Sequence, residues 1–413
     1  MDRIRMAILT ASSTGSPVRA PLWPQKKTFR ELILLGRKMG TDVFVVSHRD
    51  FDWAHGSVYG YTLRNVNGHE TWVRRRYDFP HVVYNRVPSR TAEDSPAIRR
   101  CLLRVGHRIG PRLFNPFYLN KATIFQILGR DPQLAAYLPA TQTVHTWDDV
   151  VQMLQRYGRI YLKPARGSLG NYTIEVTIHR SHPGSPLYRY RYNLRKGRTR
   201  TGYARSLEGV RRVLSPLLSR RSYIAQQAID LARYKGRPFD LRVLVQKDEN
   251  GQWQFTGAAA RVAGPGQITT HVPRGGQRAS LESVLSSFPG PAAQDIQERL
   301  VSMSVQIAQA LERALQRSFG EMSMDIGLDH RGRLWLFEAN SKPLRFDETS
   351  IRKKAQERLL TYARALVQRE LAASPPAPSI PERRPWPLWG PASTARAVRH
   401  RSSAPGLGVV RSG

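Results

Sequence analysis

The sequence predicts a mixed α/β protein of the α+β kind: an N-terminal α/β unit followed by a larger body built from antiparallel hairpins. Three observations carry this. Short apolar runs flank a helical segment near the start, in the strand–helix–strand order that gives parallel pairing. Alternating runs fill the second half, such as residues 237–245 and 253–261 across Asp248-Glu249-Asn250-Gly251, and Asn-Gly is a strong hairpin signal. Residues 296–317 have amphipathic helical spacing, and residues 351–371 read as the last helix.

Taken in order, Met6-Ala7-Ile8-Leu9 is a buried-strand candidate and residues 29–39 a helix ending before Gly40. Residues 42–46 and 81–85 are two further strands, and residues 98–109 a basic helix. The Gly/Ser loop at 12–17 lacks the GxGxxG spacing of a dinucleotide fingerprint. Phe114-Asn115-Pro116 marks a boundary, and Asn120-Lys121 opens a helix that stops near Pro132. Residues 147–157 read as a helix with Thr146 as N-cap. A strand at 159–164 ends in Lys163 and runs into a Gly/Ser loop at 165–171, with a return strand at 173–176. Such a loop is either a hairpin turn or a flap whose free N–H groups close over phosphates beside the lysine. The run LYRYRYN (187–193) sets three tyrosines against two arginines; alternation is what any antiparallel strand shows, though stacking on bases would use the same residues. Asp240 and Arg242 share a strand face, where an ion pair is the plain expectation.

The stretch from Glu321 to Asp347 carries the sharpest signal. Met322, Met324, Ile326 and Leu328 alternate with Ser323, Asp325 and Gly327, then Asp329-His330-Arg331-Gly332 makes a turn. A two- or four-residue loop would put Asp325 on one face with Leu336, Glu338 and Asn340, and Met324 and Ile326 on the other with Trp335 and Phe337. Two carboxylates and an amide oxygen are hard ligands, suited to Mg²⁺ shared with substrate phosphates; a solvated polar face is the alternative.

Composition sets bounds. The 413 residues suffice for two or three domains, and 40% hydrophobic content is that of a globular chain. The single cysteine, Cys101, excludes an internal disulfide and an all-cysteine metal site. No run reaches the roughly 18 apolar residues of a membrane span, so a cytoplasmic location is expected. The charge is +34, from 65 Lys and Arg against 31 Asp and Glu. That surface attracts acidic polymers; nucleic acid is allowed by the charge but not favoured by the patterning. Residues beyond 373 turn to Pro, Ser, Arg and Gly, a composition that cannot build a core and predicts disorder.

The order of these motifs resembles the ATP-grasp superfamily, and in detail the YheC/YheD family of endospore coat-associated proteins. The residues concerned are FNPFYLNKATIFQIL, YLKPARGSLGNYTIEV, YIAQQAIDLARYKGRPFDLRVLVQKD, THVPRGG and MDIGLDHRGRLWLFEANSKP. The resemblance implies a pre-ATP-grasp-like domain at 1–112, an ATP-grasp domain at 113–371 with its lid at about 140–225, and a tail at 372–413. It implies ATP and Mg²⁺ (or Mn²⁺) as cofactors. Lys121 and Lys163 would contact the phosphates, with Gly167, Ser168 and Gly170 as the lid over them. Gln227, with the backbone of Ala228 and Ile229, would face adenine. Arg242 and Arg261 would offset charge on the transferred phosphate, and Asp325, Glu338 and Asn340 would hold the metal. His271, Gly275 and Gly276 would lie on the substrate side, where relatives usually have Asn in place of His271. The implied activity is that of a carboxylate–amine or carboxylate–thiol ligase, linked to the spore coat, with unnamed carboxylate and amine substrates. A nucleotide-binding structural protein of the spore, without turnover, and a polyanion binder are the competing readings.

Overall fold

Strand Ile4–Thr10 is apolar at nearly every position because it is covered on both faces. It pairs in parallel with Thr41–Ser47 on one side and Val82–Asn85 on the other, as the strand–helix–strand order predicts. Helix Lys26–Lys38 packs on this sheet through Phe29, Leu32 and Ile33. The sheet has seven strands, and its antiparallel edge includes a hairpin, Ser57–Val66 with His69–Asp78, that the sequence reading passed over. Its signal was there: Asn67 and Gly68 both take positive φ, the conformation that Asn-Gly supplies in two-residue hairpin turns.

The computed structural model describes residues 3–11, 23–165, 171–179, 186–194, 198–265 and 276–373. The glycine loop at 166–170, the turn at Lys196-Gly197, the loop at 266–275 and the tail beyond 373 lie outside the described residues.

The second sheet has six strands, all antiparallel, in the order 199–204, 187–193, 174–179, 159–164, 223–227, 141–144. Helix Trp147–Tyr157 starts with a capping box between Thr146 and Asp149, as its sequence predicts. That helix and Leu207–Leu218 cover one face, burying Val150, Leu154, Val210 and Leu214 against Ile160, Leu162, Ile174 and Val176. Tyr188, Tyr190 and Tyr192 join this core. The opposite face holds Arg159, Tyr161 and Lys163, and there Arg189 and Arg191 converge on buried Glu175 at 3.4 and 3.2 Å. The arginine face of the Tyr/Arg strand is therefore spent on an internal charge rather than given over to solvent.

The third sheet runs in the order 277–280, 253–262, 237–247, 321–328, 334–340. The Asn250-Gly251 hairpin forms as predicted, with a bulge between Leu244 and Val245. Helix Gly290–Leu315 covers one face, where Glu312 binds Lys247 at 2.6 Å and the Trp253 indole at 2.9 Å. The other face carries Asp240, Arg242 and Asp325. The last helix, Thr349–Ala373, returns to the N-terminal sheet and packs Leu359, Leu360, Tyr362 and Val367 into the same core as Met6, Ile8 and Phe29.

Candidate active site

The hairpin of Glu321–Leu328 and Leu334–Asn340 sets Asp325 directly opposite Glu338, and Ser323 opposite Asn340. Asp325, Glu338 and Asn340 therefore share a face, as expected, but by a different route. The turn holds five residues, not two or four, because Leu328 pairs with Leu334. Asp329 fixes that turn by accepting the N–H groups of Arg331 and Arg333, each at 2.9 Å, and the Trp335 indole at 3.0 Å. An odd loop alone would send Glu338 to the wrong face. A bulge between Asp325 and Ile326 reverses the parity again, with Phe337 as the extra residue. The expected partition of apolar residues is corrected accordingly: Leu336 pairs with Ile326 on the core side. Phe337 leaves the core and lies over Gly327, where an added Cβ would sit 2.4 Å from its ring.

Each carboxylate of the pair is met by a cation. Lys121, at the start of helix Lys121–Leu128 behind its Asn120 N-cap, reaches Glu338 at 2.7 Å. Arg261 reaches Asp325 at 2.8 Å and holds Asp240 through two bonds of 2.9 and 2.8 Å. The strand register explains the second contact, since Asp240 and Arg261 are direct cross-strand partners. Burial would lower the Arg261 pKa, yet Asp240 and Asp325 together hold it above its usual value. The pair expected within one strand, Asp240 with Arg242, gives way to this cross-strand bond. Arg242 instead donates to the Leu344 carbonyl at 2.5 Å and stacks on Phe346 at 4.4 Å. Burial lowers its pKa, opposed by Asp325.

Lys163 comes in from the second sheet. Its ammonium donates to Gln226 Oε1 at 2.5 Å and lies 5.1 Å from the Phe337 ring centroid. Burial pushes its pKa down to about 8; Lys121 adds to the fall, while Glu338, Asp325 and Asp240 oppose it. Strands of two sheets and the start of helix Lys121–Leu128 thus bring Lys163, Lys121, Asp240, Arg261, Asp325 and Glu338 into one electrostatic group. Gln227 turns its Oε1 to the Ala140 N–H at 3.3 Å, and the Ala228 N–H donates to the Arg159 carbonyl at 3.1 Å. The Ile229 carbonyl accepts from Arg159 at 3.3 Å. Gly276 is half-buried just before strand Gln277–Ser280. Gly167, Ser168, Gly170, His271 and Gly275 lie outside the described residues.

With this geometry in place, comparison with known proteins is informative. The sequence profile of "YheC/D like ATP-grasp" matches residues 110–366. Endospore coat-associated protein YheD of Bacillus subtilis is 30% identical over 342 residues, covering 82% of this chain and 72% of that protein. The chain belongs to the YheC/D-like ATP-grasp family. Endospore coat-associated protein YheC of Bacillus subtilis is 22% identical over 242 residues, covering 59% of this chain and 64% of that protein. Among solved structures, D-alanyl-alanine synthetase A from Vibrio cholerae superposes with a TM-score of 0.50 at 12% identity, over 91% of this chain and 100% of that one. The D-alanine–D-alanine ligase from Coxiella burnetii gives 0.51 at 10% identity, over 90% and 97%. These likenesses show the ATP-grasp fold. No helix among the described residues is long and apolar enough to cross a membrane.

An ATP-grasp fold implies ATP and a divalent cation, and the donor set can be tested for the latter. Among the described residues no three His, Cys, Asp or Glu side chains cluster as a closed cage. Two opposed carboxylates with an amide oxygen on the same face are instead a partial, hard-oxygen set, which suits a cation that keeps waters and borrows phosphate oxygens. The residues fit Mg²⁺ on that chemistry.

Three further residues beside this electrostatic group were not predicted from the sequence. Phe337 needed the bulge to be seen. Gln226, 1% exposed, bonds Lys163 and the Thr141 hydroxyl, and the reading chose its neighbour Gln227. Asn115 donates to the carbonyls of Glu321 and Ser341 and accepts the Gly320 N–H at 2.8 Å, which clamps the open end of the hairpin. Its positive φ of 53° is a conformation Asn tolerates better than most residues. The FNP motif was its only signal.

Proposed function

We propose that the protein is a Mg·ATP-dependent ligase that joins a carboxylate to an amine or a thiol through an acyl-phosphate. The observation that carries this is the opposed pair Asp325 and Glu338, with Lys163 and Lys121 beside it and Arg242 on the same face. ATP is the phosphoryl donor. A substrate carboxylate oxygen attacks the γ-phosphorus, the bond to the β–γ bridging oxygen breaks, and ADP leaves. The nucleophile then attacks the acyl carbon, a C–N or C–S bond forms, and inorganic phosphate departs with the acyl oxygen's electron pair. The proton of the nucleophile passes to solvent.

The protein's part is positioning and charge. Lys163 and Lys121 hold the phosphates from two sides, and Arg242 offsets charge on the transferring group. Asp325, Glu338 and Asn340 would hold Mg²⁺, which when bound screens phosphate charge and orients the phosphates. Arg261 holds Asp325 and Asp240 in place. Gln226 orients Lys163, and Phe337 forms an apolar wall beside its ammonium. Gln227, Ala228 and Ile229 lie on the strand end assigned to adenine, and Gly167, Ser168 and Gly170 belong to the loop assigned to the phosphates. His271, Gly275 and Gly276 belong to the loop assigned to the substrates. The names of the curated relatives support a role at the endospore coat.

Hydroxylamine trapping tests the chemistry. The chain with Mg·ATP, hydroxylamine and a panel of amino acids, short peptides and acidic polymers should release ADP and form hydroxamate with one carboxylate. ADP release without hydroxamate from any carboxylate would remove the acyl-phosphate.

Lys163 gives a pH signature. It is protonated below about pH 8 and neutral above, whereas a bound polyphosphate favours the charged form. The complex then holds a proton that the free protein lacks at high pH, so affinity falls as pH rises. ADP binding without metal should weaken about tenfold between pH 7 and pH 9, the slope expected once pH exceeds the free pKa. Lys163→Arg, which stays charged, should flatten the profile. Calorimetric titration across that range reads it directly.

A further inference from the structure

Behind the metal face lies a cavity that the proposed chemistry does not use. The face of strand Arg237–Lys247 and strand Glu321–Leu328 that carries Arg242 and Asp325 continues through Leu244 and Ser323 to Gln246 and Glu321. Glu321 is four residues from Asp325, roughly 13 Å along the strand. There a cavity of about 60 Å³ opens between helices Lys26–Lys38 and Thr349–Ala373. Its polar end is formed by Tyr84, Arg86 and Glu321, and its body by Leu32, Leu344, Phe346 and Leu359.

Arg86 follows directly on strand Val82–Asn85, at the carboxyl end of the parallel strands, where open α/β sheets place their ligands. It is 4% exposed. Its Nε donates to Gln25 and its Nη2 to the Pro343 carbonyl, both at 2.9 Å. Its Nη1 is ion-paired with Glu321 Oε1 at 3.5 Å, too long for a good hydrogen bond, and the guanidinium lies 5.5 Å from the Tyr84 ring centroid. Glu321 is already engaged by the Tyr84 hydroxyl and by Gln246. A buried guanidinium nitrogen without an acceptor is costly, and charged donors recover the most from an ionised acceptor.

Two further arginines, Arg345 and Arg352, line the cavity beside Arg86, with Glu321 as the one lining carboxylate. Arg86 faces Glu321 and Arg345 is paired with Glu31 at 2.7 Å, while half-buried Arg352 donates to the Asp347 carbonyl at 3.1 Å. Water would satisfy the polar end but not the apolar body, where it lacks partners. An apolar chamber with a few convergent polar groups is the usual form of a small-molecule site.

We propose that this cavity binds a small aliphatic monocarboxylate, with its carboxylate on Arg86 Nη1 and its chain among Leu32, Leu344, Phe346 and Leu359. The volume admits roughly four to six heavy atoms, taking about one probe sphere for each water-sized group. The wall formed by Pro343–Phe346 separates it from Arg242, which holds the same segment from the other side through Leu344 and Phe346. The site is therefore distinct from the phosphate site, and its existence does not depend on the proposed ligase activity.

Calorimetry or saturation-transfer NMR on the full chain without nucleotide tests it, with propionate, butyrate and butyramide as probes. Butyrate should bind and the uncharged, isosteric butyramide should bind at least about tenfold more weakly. Ala355→Leu fills the cavity without touching Arg86, and should lower butyrate affinity by a similar factor. Arg86→Gln should do the same; because Arg86 is buried, the Mg·ADP thermal shift is the control for folding in both variants. No carboxylate binding up to about 10 mM, equal binding of butyramide, or butyrate binding unchanged in Ala355→Leu would each overturn the assignment. Loss of the ADP response with butyrate binding retained would strike at the ligase reading alone.

Discussion

Glu338→Gln is expected to abolish the magnesium-dependent part of the thermal stabilisation by ADP and to leave the magnesium-independent part in place. Removing a group that only orients a metal ligand typically costs 10- to 100-fold in metal affinity, and Glu338 would be a ligand itself. A loss of about 100-fold, at a ligand concentration near 100 times the original Kd, removes roughly 2 kcal/mol of linked stabilisation. The variant will also melt lower at baseline, because Lys121 is 6% exposed and loses its carboxylate partner. The informative quantity is thus the difference between melts with and without Mg²⁺ for each protein. Glu338→Ala should match Glu338→Gln in that difference. An undiminished magnesium effect in both would remove the metal assignment from this hairpin.

Glu93→Ala is expected to cost more in stability than any substitution on the metal face. Lys342 is 6% exposed and pairs with Glu93, which is 3% exposed. The same carboxylate accepts from Asn85 and from the Tyr118 N–H, each at 2.9 Å. Burial pushes the Lys342 pKa down to about 8 even with Glu93 beside it. Deleting one partner of a buried pair leaves the other charge stranded and costs about 3–5 kcal/mol. Thermal melting should fall by at least about 5 °C. The double variant Glu93→Met with Lys342→Met should recover much of the loss, since apolar replacement of a whole buried pair is often neutral. A double variant less stable than Glu93→Ala would mean that the pair contributes beyond mutual neutralisation.

Much of this was legible in the sequence, and the misses have physical causes. Parity alone put Asp325, Glu338 and Asn340 on one face, and the answer survived two errors that cancel: a five-residue turn and a compensating bulge. Phe337 shows what that cancellation hid. Alternation cannot reveal a bulge, so a side chain read as core belongs instead beside Lys163. Arg261 was singled out as a cation, but its double hold on Asp240 and Asp325 depends on which strands are neighbours, and register across a 237–247/253–262 hairpin is not written in either strand alone. Asn115 is harder still. Its partners are over 200 residues away, and its motif reads in the sequence only as a boundary. The hairpin at 57–78 was simply overlooked, for Asn67-Gly68 announces it.

The return of the last helix to the first sheet has a consequence for synthesis. Met6 and Ile8 share a core with Leu359, Leu360 and Tyr362, which the ribosome makes about 350 residues later. At about 5–20 residues per second that interval is roughly 20 to 70 s. Once residues up to Phe114 have been made, the N-terminal sheet can complete its hydrogen bonds, but it stays uncovered along the surface that the helix will bury. The earliest-made part of the chain is thus the part that waits longest for its packing, and its newborn form is the one with most need of a chaperone.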